Sequence, residues 1–323
     1  MKIDVNRRRR EVRALAALAM ALAVLPAAAR AEGAGTDEWH SYTTSAGTRS
    51  YLLHLPPDPR PRAPLVVYLH GCTQSAADAA AGTGWSRLAD RDGLLVAYPE
   101  QPATADTNKC WRWFDGASQH RDAGDPALIA GITREVAAAW DVDPERVYVV
   151  GASAGGYMAG VLGAAYPDVY AGIGIVGGGP YATALDLTGL LAYAEMGSRA
   201  RTMPTFVLQG TADLTNPLPL GVSAVDQWLG TSDLADDGAL NLSVSRLPAT
   251  VEHHGGLLGT PEAYPYTVSH YVDGDGASLL DFWTVDGLGH AWPGGDPAGS
   301  FTDERGPSAT EAAAAFLLAH RMP

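Results

Sequence analysis

From residue 64 onward, short apolar runs alternate with stretches in which apolar residues recur at helical spacing. PLVVYLHG at 64–71 is an apolar run ending in glycine, and AADAAAGTGWSRLADRDG at 76–93 reads as the helix that follows it. LLVAYPE at 94–100 is the next strand, ALIAGITREVAAAW at 127–140 the next helix, and RVYVVGAS at 146–153 returns to a run rich in valine. Further strands are predicted at 171–178 (AGIGIVGG), 204–210 (PTFVLQG) and 279–287 (LLDFWTVDG), and a last helix over about 308–321. Buried strands joined by crossover helices predict an α/β protein with a mostly parallel sheet covered on both faces. Residues 230–265 have little periodicity and many Gly, Pro and Asp, and read as an irregular insertion in one domain spanning 32–323.

The start of the chain has a different pattern. Residues 1–13 are basic, residues 14–29 are Ala, Leu, Met and Val apart from Pro26, and Ala29-Arg30-Ala31 has the small-x-small form that signal peptidase reads. Residues 1–31 are therefore read as a cleaved export signal, which places the protein outside the cytoplasm, secreted or periplasmic. A membrane anchor is the competing reading, but this apolar stretch falls short of the roughly 20 residues that span a bilayer. The basic run fits the general and the twin-arginine export routes alike.

Charge then excludes partners. Residues 1–31 carry seven of the 22 Lys and Arg and two of the 36 Asp and Glu, so the remainder has a formal charge of −19. Nucleic acid and stable association with an anionic membrane are poor partners for such a surface. The two cysteines, Cys72 and Cys110, both lie in the exported part, where an even count favours one disulfide over free thiols. Neighbouring ligands at zinc-finger spacing are missing, so no metal is expected.

GASAG at 151–155 supplies the chemistry. It follows a predicted strand and opens a predicted helix, GGYMAGVLGAAY, which is the context that a G-x-S-x-G nucleophile elbow requires. The alternative, a small-residue helix start capped by Ser153, needs no preceding strand. A serine hydroxyl needs a base to take its proton, and the base needs a carboxylate to hold its tautomer. In this fold the order is Ser, acid, His. Asp213, just past the strand PTFVLQG, and His290, in the Gly-rich loop DGLGHAWPGG, fill those places at the carboxyl edge of the sheet. Asp286 is a rival acid on the same loop as His290, while His40, His54, His253, His254 and His320 stand outside the expected positions.

Two backbone donors must also meet the oxyanion. The N–H of Ala154 and an N–H from the loop after PLVVYLHG, assigned to Cys72, are the candidates. A Cys72–Cys110 bridge would then brace that loop and hold CWRWF at 110–114 beside the site. Trp111 and Trp113 of that segment, with Trp292 beyond His290, are candidate substrate contacts, ordinary core packing being the alternative.

LHGCTQ (69–74), GLLVAYPEQ (93–101), CWRWF (110–114), RVYVVGASAGGYMA (146–159), AAYPDVYAGIGIVGG (164–178) and GHAWPGG with GSFTDERGP (289–307) together resemble the extracellular poly(3-hydroxybutyrate) depolymerase-like esterases. That family is related to the feruloyl and acetylxylan esterases of carbohydrate esterase family one. The resemblance runs from about residue 45 to the C-terminus. It implies an α/β-hydrolase fold, secretion, no cofactor, a small or polymeric ester substrate, the triad Ser153, Asp213 and His290, Cys72 and Ala154 at the oxyanion hole, and a Cys72–Cys110 disulfide.

The 33 residues after His290 leave no room for the C-terminal substrate-binding domain usual in enzymes that attack solid polyester, and Ala152 and Tyr157 depart from residues often found at the elbow. The expectation is therefore an esterase for hydroxyalkanoate oligomers or amorphous polyester. A feruloyl or acetylxylan esterase is the alternative, and a non-catalytic hydrolase fold used for binding is a third class. Oligomeric state is left open.

Overall fold

Two strands that the apolar pattern does not announce open the described chain. The computed structural model describes residues 34–182, 186, 188–255 and 263–323, so the expected export signal at 1–31 lies outside it. β1 (Thr36–Thr44) and β2 (Gly47–Leu55) form an antiparallel hairpin closed by a two-residue turn. His40 and His54 are strand residues of this hairpin.

The alternation expected from the sequence follows: β3 (Ala63–Leu69), α1 (Ala76–Thr83), α2 (Trp85–Asp92), β4 (Leu95–Pro99), α3 (Gly124–Ala139), β5 (Val142–Ala152) and α4 (Ala154–Ala165). It continues with β6 (Gly172–Val176), α5 (Leu190–Met196), β7 (Thr205–Gly210) and α6 (Leu218–Asp237). Then come β8 (Thr250–His254), β9 (Tyr266–Val272), β10 (Ser278–Val285), the two-residue β11 (Trp292–Pro293) and β12 (Thr302–Asp303), and α7 (Ala309–Leu317).

Ten strands form one sheet in the order β1-β2-β4-β3-β5-β6-β7-β10-β9-β8. The run β4-β3-β5-β6-β7-β10 is parallel, and the antiparallel strands lie at the two ends. Parallel strands covered on both faces have no polar side, which explains why β3 is buried at every position. Its residues still alternate: Leu65, Val67 and Leu69 join the core under α3, α4, α5 and α6, whereas Val66 and Tyr68 join the core under α1, α2 and α7. The mostly parallel sheet is the one the alternation implied, and the fold is an α/β-hydrolase fold, as the resemblance implied.

Two expectations need correction. The helix predicted over 76–93 is two helices, because Gly84 takes the left-handed conformation (φ 80°) and serves as the last cap of α1 and the first of α2. Residues 230–265 are not an irregular insertion throughout. α6 runs on to Asp237, and β8 within the span pairs with β9, which starts just beyond it at Tyr266. Near the end of α6 the buried Asp233 is satisfied: it accepts from the N–H groups of Asn241, Leu242 and Val244 and from the Ser243 hydroxyl. Among the described residues no helix is long and apolar enough to cross a membrane.

Candidate active site

The elbow is built by close packing. β5 ends at Ala152 and α4 begins at Ala154, and Ser153 between them has φ 54° and ψ −120°, outside the usual regions for a residue with a side chain. A Cβ on Gly151 would stand 2.2 Å from the Gly155 backbone, and one on Gly155 would stand 2.0 Å from the Leu69 carbonyl oxygen. The two glycines let strand, turn and helix approach this closely, and the serine side chain is lifted above the sheet edge.

Asp213 follows β7 and is buried. Its Oδ1 accepts the N–H groups of Thr215 (2.9 Å) and Asn216 (2.8 Å). Its Oδ2 lies 2.7 Å from His290 Nδ1, and His290 Nε2 lies 2.9 Å from Ser153 Oγ. In that line Nδ1–H donates to the carboxylate, which leaves Nε2 as an acceptor for the serine proton. The rival Asp286 is exposed, and its N–H donates to the Pro265 carbonyl. His254 stacks on Tyr266, and His320 bonds the Phe316 and Ser278 carbonyls, so neither reaches the serine.

The loop after β3 is set by its hydrogen bonds. Gly71 N–H donates to Gln74 Oε1 (2.8 Å) and Thr73 N–H donates to the Asn108 carbonyl (2.6 Å). Cys72 N–H, beside the cavity that Ser153 lines, has no acceptor among the described residues, and Ala154 N–H opens α4 with no preceding turn to bond. Cys72 and Cys110 are joined as a disulfide, with Cα atoms 4.2 Å apart. Under this loop His70 donates from Nδ1 to the Gly71 carbonyl (2.7 Å) and accepts the Gln101 N–H at Nε2 (3.0 Å). Burial pushes its pKa down, consistent with a neutral ring of fixed tautomer.

The three tryptophans part company. Trp292 lines the cavity beside Ser153 and His290, its ring edge-on to Tyr68 and its Nε1 bonded to Thr310 Oγ1. Trp113 stacks on Tyr157, with centroids 3.9 Å apart, and does not line that cavity. Trp111 is fully buried in the core and donates from Nε1 to the His70 carbonyl (3.1 Å), so it supports the loop from below and forms no pocket wall. The cavity holds about 240 Å³, with Tyr68, Ala79, Val176, Ala291 and Phe301 among its apolar walls. Gln74 and Asn216 were not singled out from sequence. Gln74 ties Gly71 to Asp78 and Ser300 of the cavity wall, and Asn216 bonds the Gly177 carbonyl and the Tyr157 hydroxyl as well as Asp213.

A serine at an elbow, an imidazole in line with it and a buried carboxylate behind is an arrangement able to transfer acyl groups. Residues 49–225 match the family model described as esterase PHB depolymerase. The chain belongs to this family. The matched span takes in Ser153 and Asp213, and His290 lies beyond it. The chain is 32% identical over 266 residues, 78% of its length, to poly(3-hydroxyalkanoate) depolymerase C of Paucimonas lemoignei. It is 29% identical over 308 residues, 87% of its length, to poly(3-hydroxybutyrate) depolymerase of Ralstonia pickettii. The chain spans 61% and 60% of the lengths of these two relatives. Acetylxylan and feruloyl esterases are relatives too: an acetylxylan esterase of Coprinopsis cinerea matches 40% of this esterase-family chain, and feruloyl esterase B of Talaromyces funiculosus is 29% identical over 272 residues, 80% of it. In fold it is similar to the acetyl xylan esterase from Aspergillus awamori, with a TM-score of 0.63 at 19% identity over 78% of this chain and 94% of that one.

Proposed function

We propose that the protein is a secreted serine esterase that cleaves short hydroxyalkanoate esters, oligomeric or from amorphous polyester, through an acyl-enzyme. The observation that carries this is the hydrogen-bonded line from Ser153 Oγ through His290 to Asp213, at an elbow whose serine has φ 54°. His290 Nε2 takes the hydroxyl proton as Oγ attacks the ester carbonyl, whose oxygen becomes an anion received by the N–H groups of Cys72 and Ala154. The same nitrogen returns the proton to the departing alcohol, and water then repeats the sequence on the acyl-serine. Family membership and the 32% identity to a poly(3-hydroxyalkanoate) depolymerase favour hydroxyalkanoates. Relatives named for acetylxylan and ferulate support a second reading, removal of acyl groups from polysaccharide.

Hydrolysis of hydroxybutyrate oligomers, methyl ferulate, acetylated xylan and p-nitrophenyl esters of rising chain length separates the two. The expected order places hydroxybutyrate oligomers and short p-nitrophenyl esters highest in kcat/KM. A higher value for methyl ferulate or acetylated xylan overturns the substrate assignment.

The disulfide joins the proposed oxyanion loop to the aromatic segment that stacks on Tyr157. Cys110→Ser is expected to lower stability by at most about 4 kcal/mol in the loop-entropy model. Turnover measured well below the melting point is also expected to fall, because loss of one oxyanion donor costs about 2.7–4 kcal/mol and loosening takes part of that. A lower melting temperature with unchanged turnover would make the bridge structural alone.

A further inference from the structure

We infer that Gln209 is a positioning residue for the reaction, holding the Asp213 carboxylate so that Oδ2 faces His290. This rests on the triad reading above. Gln209 lies on β7, and its side chain is fully buried beneath α6. Room for it comes from Gly221 of α6, where a Cβ would stand 3.0 Å from the Gln209 Cβ. Its Nε2 donates to Asp213 Oδ2 (3.2 Å) and to the Asn216 carbonyl. Oδ2 thus has two donors, Gln209 and His290, and Oδ1 has two, the Thr215 and Asn216 N–H groups. The carboxylate cannot turn about its own axis without losing donors on both oxygens.

The other half of the amide argues that this is more than packing. Gln209 Oε1 is buried and has no hydrogen-bond partner among the described residues. Turning the amide over brings no relief, because Oε1 would then oppose Asp213 Oδ2 and the Asn216 carbonyl, both acceptors. An apolar side chain of similar volume would fill the space with no orphaned acceptor, and a buried unsatisfied group in a native structure calls for a reason. The reason here is the donor that reaches Oδ2. The same amide ties Asn216 to the acid, and Asn216 in turn bonds Gly177 beside the elbow, so one side chain sets the acid loop against the nucleophile.

Besides His290, the titratable group facing Asp213 is Tyr157, whose pKa is pushed up to about 12 by burial and by the Asp213 charge. It stays neutral where esterase activity is measured. A carboxylate with one donor fewer grips the imidazolium more strongly. The acid limb of kcat/KM, which requires neutral His290, therefore moves to higher pH.

The experiment compares the parent protein with Gln209→Met, using p-nitrophenyl butyrate and a phosphonate label to count active serines. Gln209→Met is expected to lower kcat per labelled site about tenfold, the low end of the scale for residues that orient a site's working groups through a hydrogen bond, as measured at metal ligands. KM should stay the same and the acid limb should shift upward. A folded, fully labelled Gln209→Met with the parental kcat and acid limb overturns the proposal, whatever its melting temperature. If Gln209→Met does not fold, Gln209→Glu decides, since it keeps the shape but loses the donor as it ionises. Its activity relative to the parent should fall as pH rises from about 5 to about 9, the range over which a buried glutamate beside a carboxylate gives up its proton, and a constant ratio of one overturns the proposal. Absence of label at Ser153 in the parent would remove the triad reading, and this inference with it.

Discussion

Ser153→Ala is expected to lower turnover by about 10⁶-fold, the scale seen when a serine nucleophile that works as a unit with its base is removed. The protein should stay folded, since the side chain loses only an oxygen that bonds His290. Ser153→Gly carries the argument further. At φ 54° and ψ −120° a side chain is strained, and such strain costs on the order of 1–3 kcal/mol. Glycine removes it, so Ser153→Gly should be as inactive as Ser153→Ala and should melt at a higher temperature than either parent or alanine variant. The measurements are single-turnover kinetics with a soluble ester, phosphonate labelling followed by mass spectrometry, and thermal melts of all three proteins. Label at a serine other than Ser153, or an active alanine variant, would remove the mechanism. A glycine variant no more stable than the alanine one would show that the elbow stores no strain.

The groups proposed to react were legible because each had to end a strand of one parallel sheet. GASAG follows a valine-rich run, Asp213 follows PTFVLQG and His290 follows LLDFWTVDG, so the topology alone carries three distant segments to one edge. What holds them was not legible. Gln74 and Gln209 act through one amide each, on partners fixed by packing: Gly71 and Ser300 for the first, Asp213 and Asn216 for the second. Their spacing has no signature, although a glutamine near the end of an apolar strand such as TFVLQG was a buried polar group in want of a partner. The sequence left Trp111 open between pocket and core for a related reason. CWRWF alternates between core and surface about the disulfide, and only the backbone decides that Trp111 turns inward to His70 while Trp113 meets Tyr157.

Fold features escaped the pattern where burial was one-sided or polar. β1 is largely exposed, so it has no apolar run to mark it, and its pairing with β2 is held by register along nine residues of each strand. The last third of α6 includes Gly-Thr-Ser-Asp-Leu at 230–234, a stretch that reads as loop although it is buried, with Thr231 bonded to the Gln227 and Gly189 carbonyls and Asp233 to the turn at 241–244. Periodicity finds apolar faces, and here the buried face was polar.

Asp213→Asn separates this site from its rival acid, and the hydrogen bonds predict how it fails. The Thr215 and Asn216 N–H groups both point at Oδ1, so the amide oxygen of an asparagine must occupy that place. Its NH₂ then takes the Oδ2 place, facing His290 Nδ1 and also facing the Gln209 NH₂. To accept from it, His290 must present a bare Nδ1 and carry its proton on Nε2, where it can no longer receive the serine proton. Turnover should drop by about 10⁴-fold through this wrong tautomer. The circular dichroism spectrum should be unchanged, because the replacement is isosteric. Asp286→Asn should stay within about twofold of the parent, as surface changes away from a site usually do. If Asp286→Asn lost the activity and Asp213→Asn kept it, the acid would be misassigned, and the positioning role of Gln209 would fall with it.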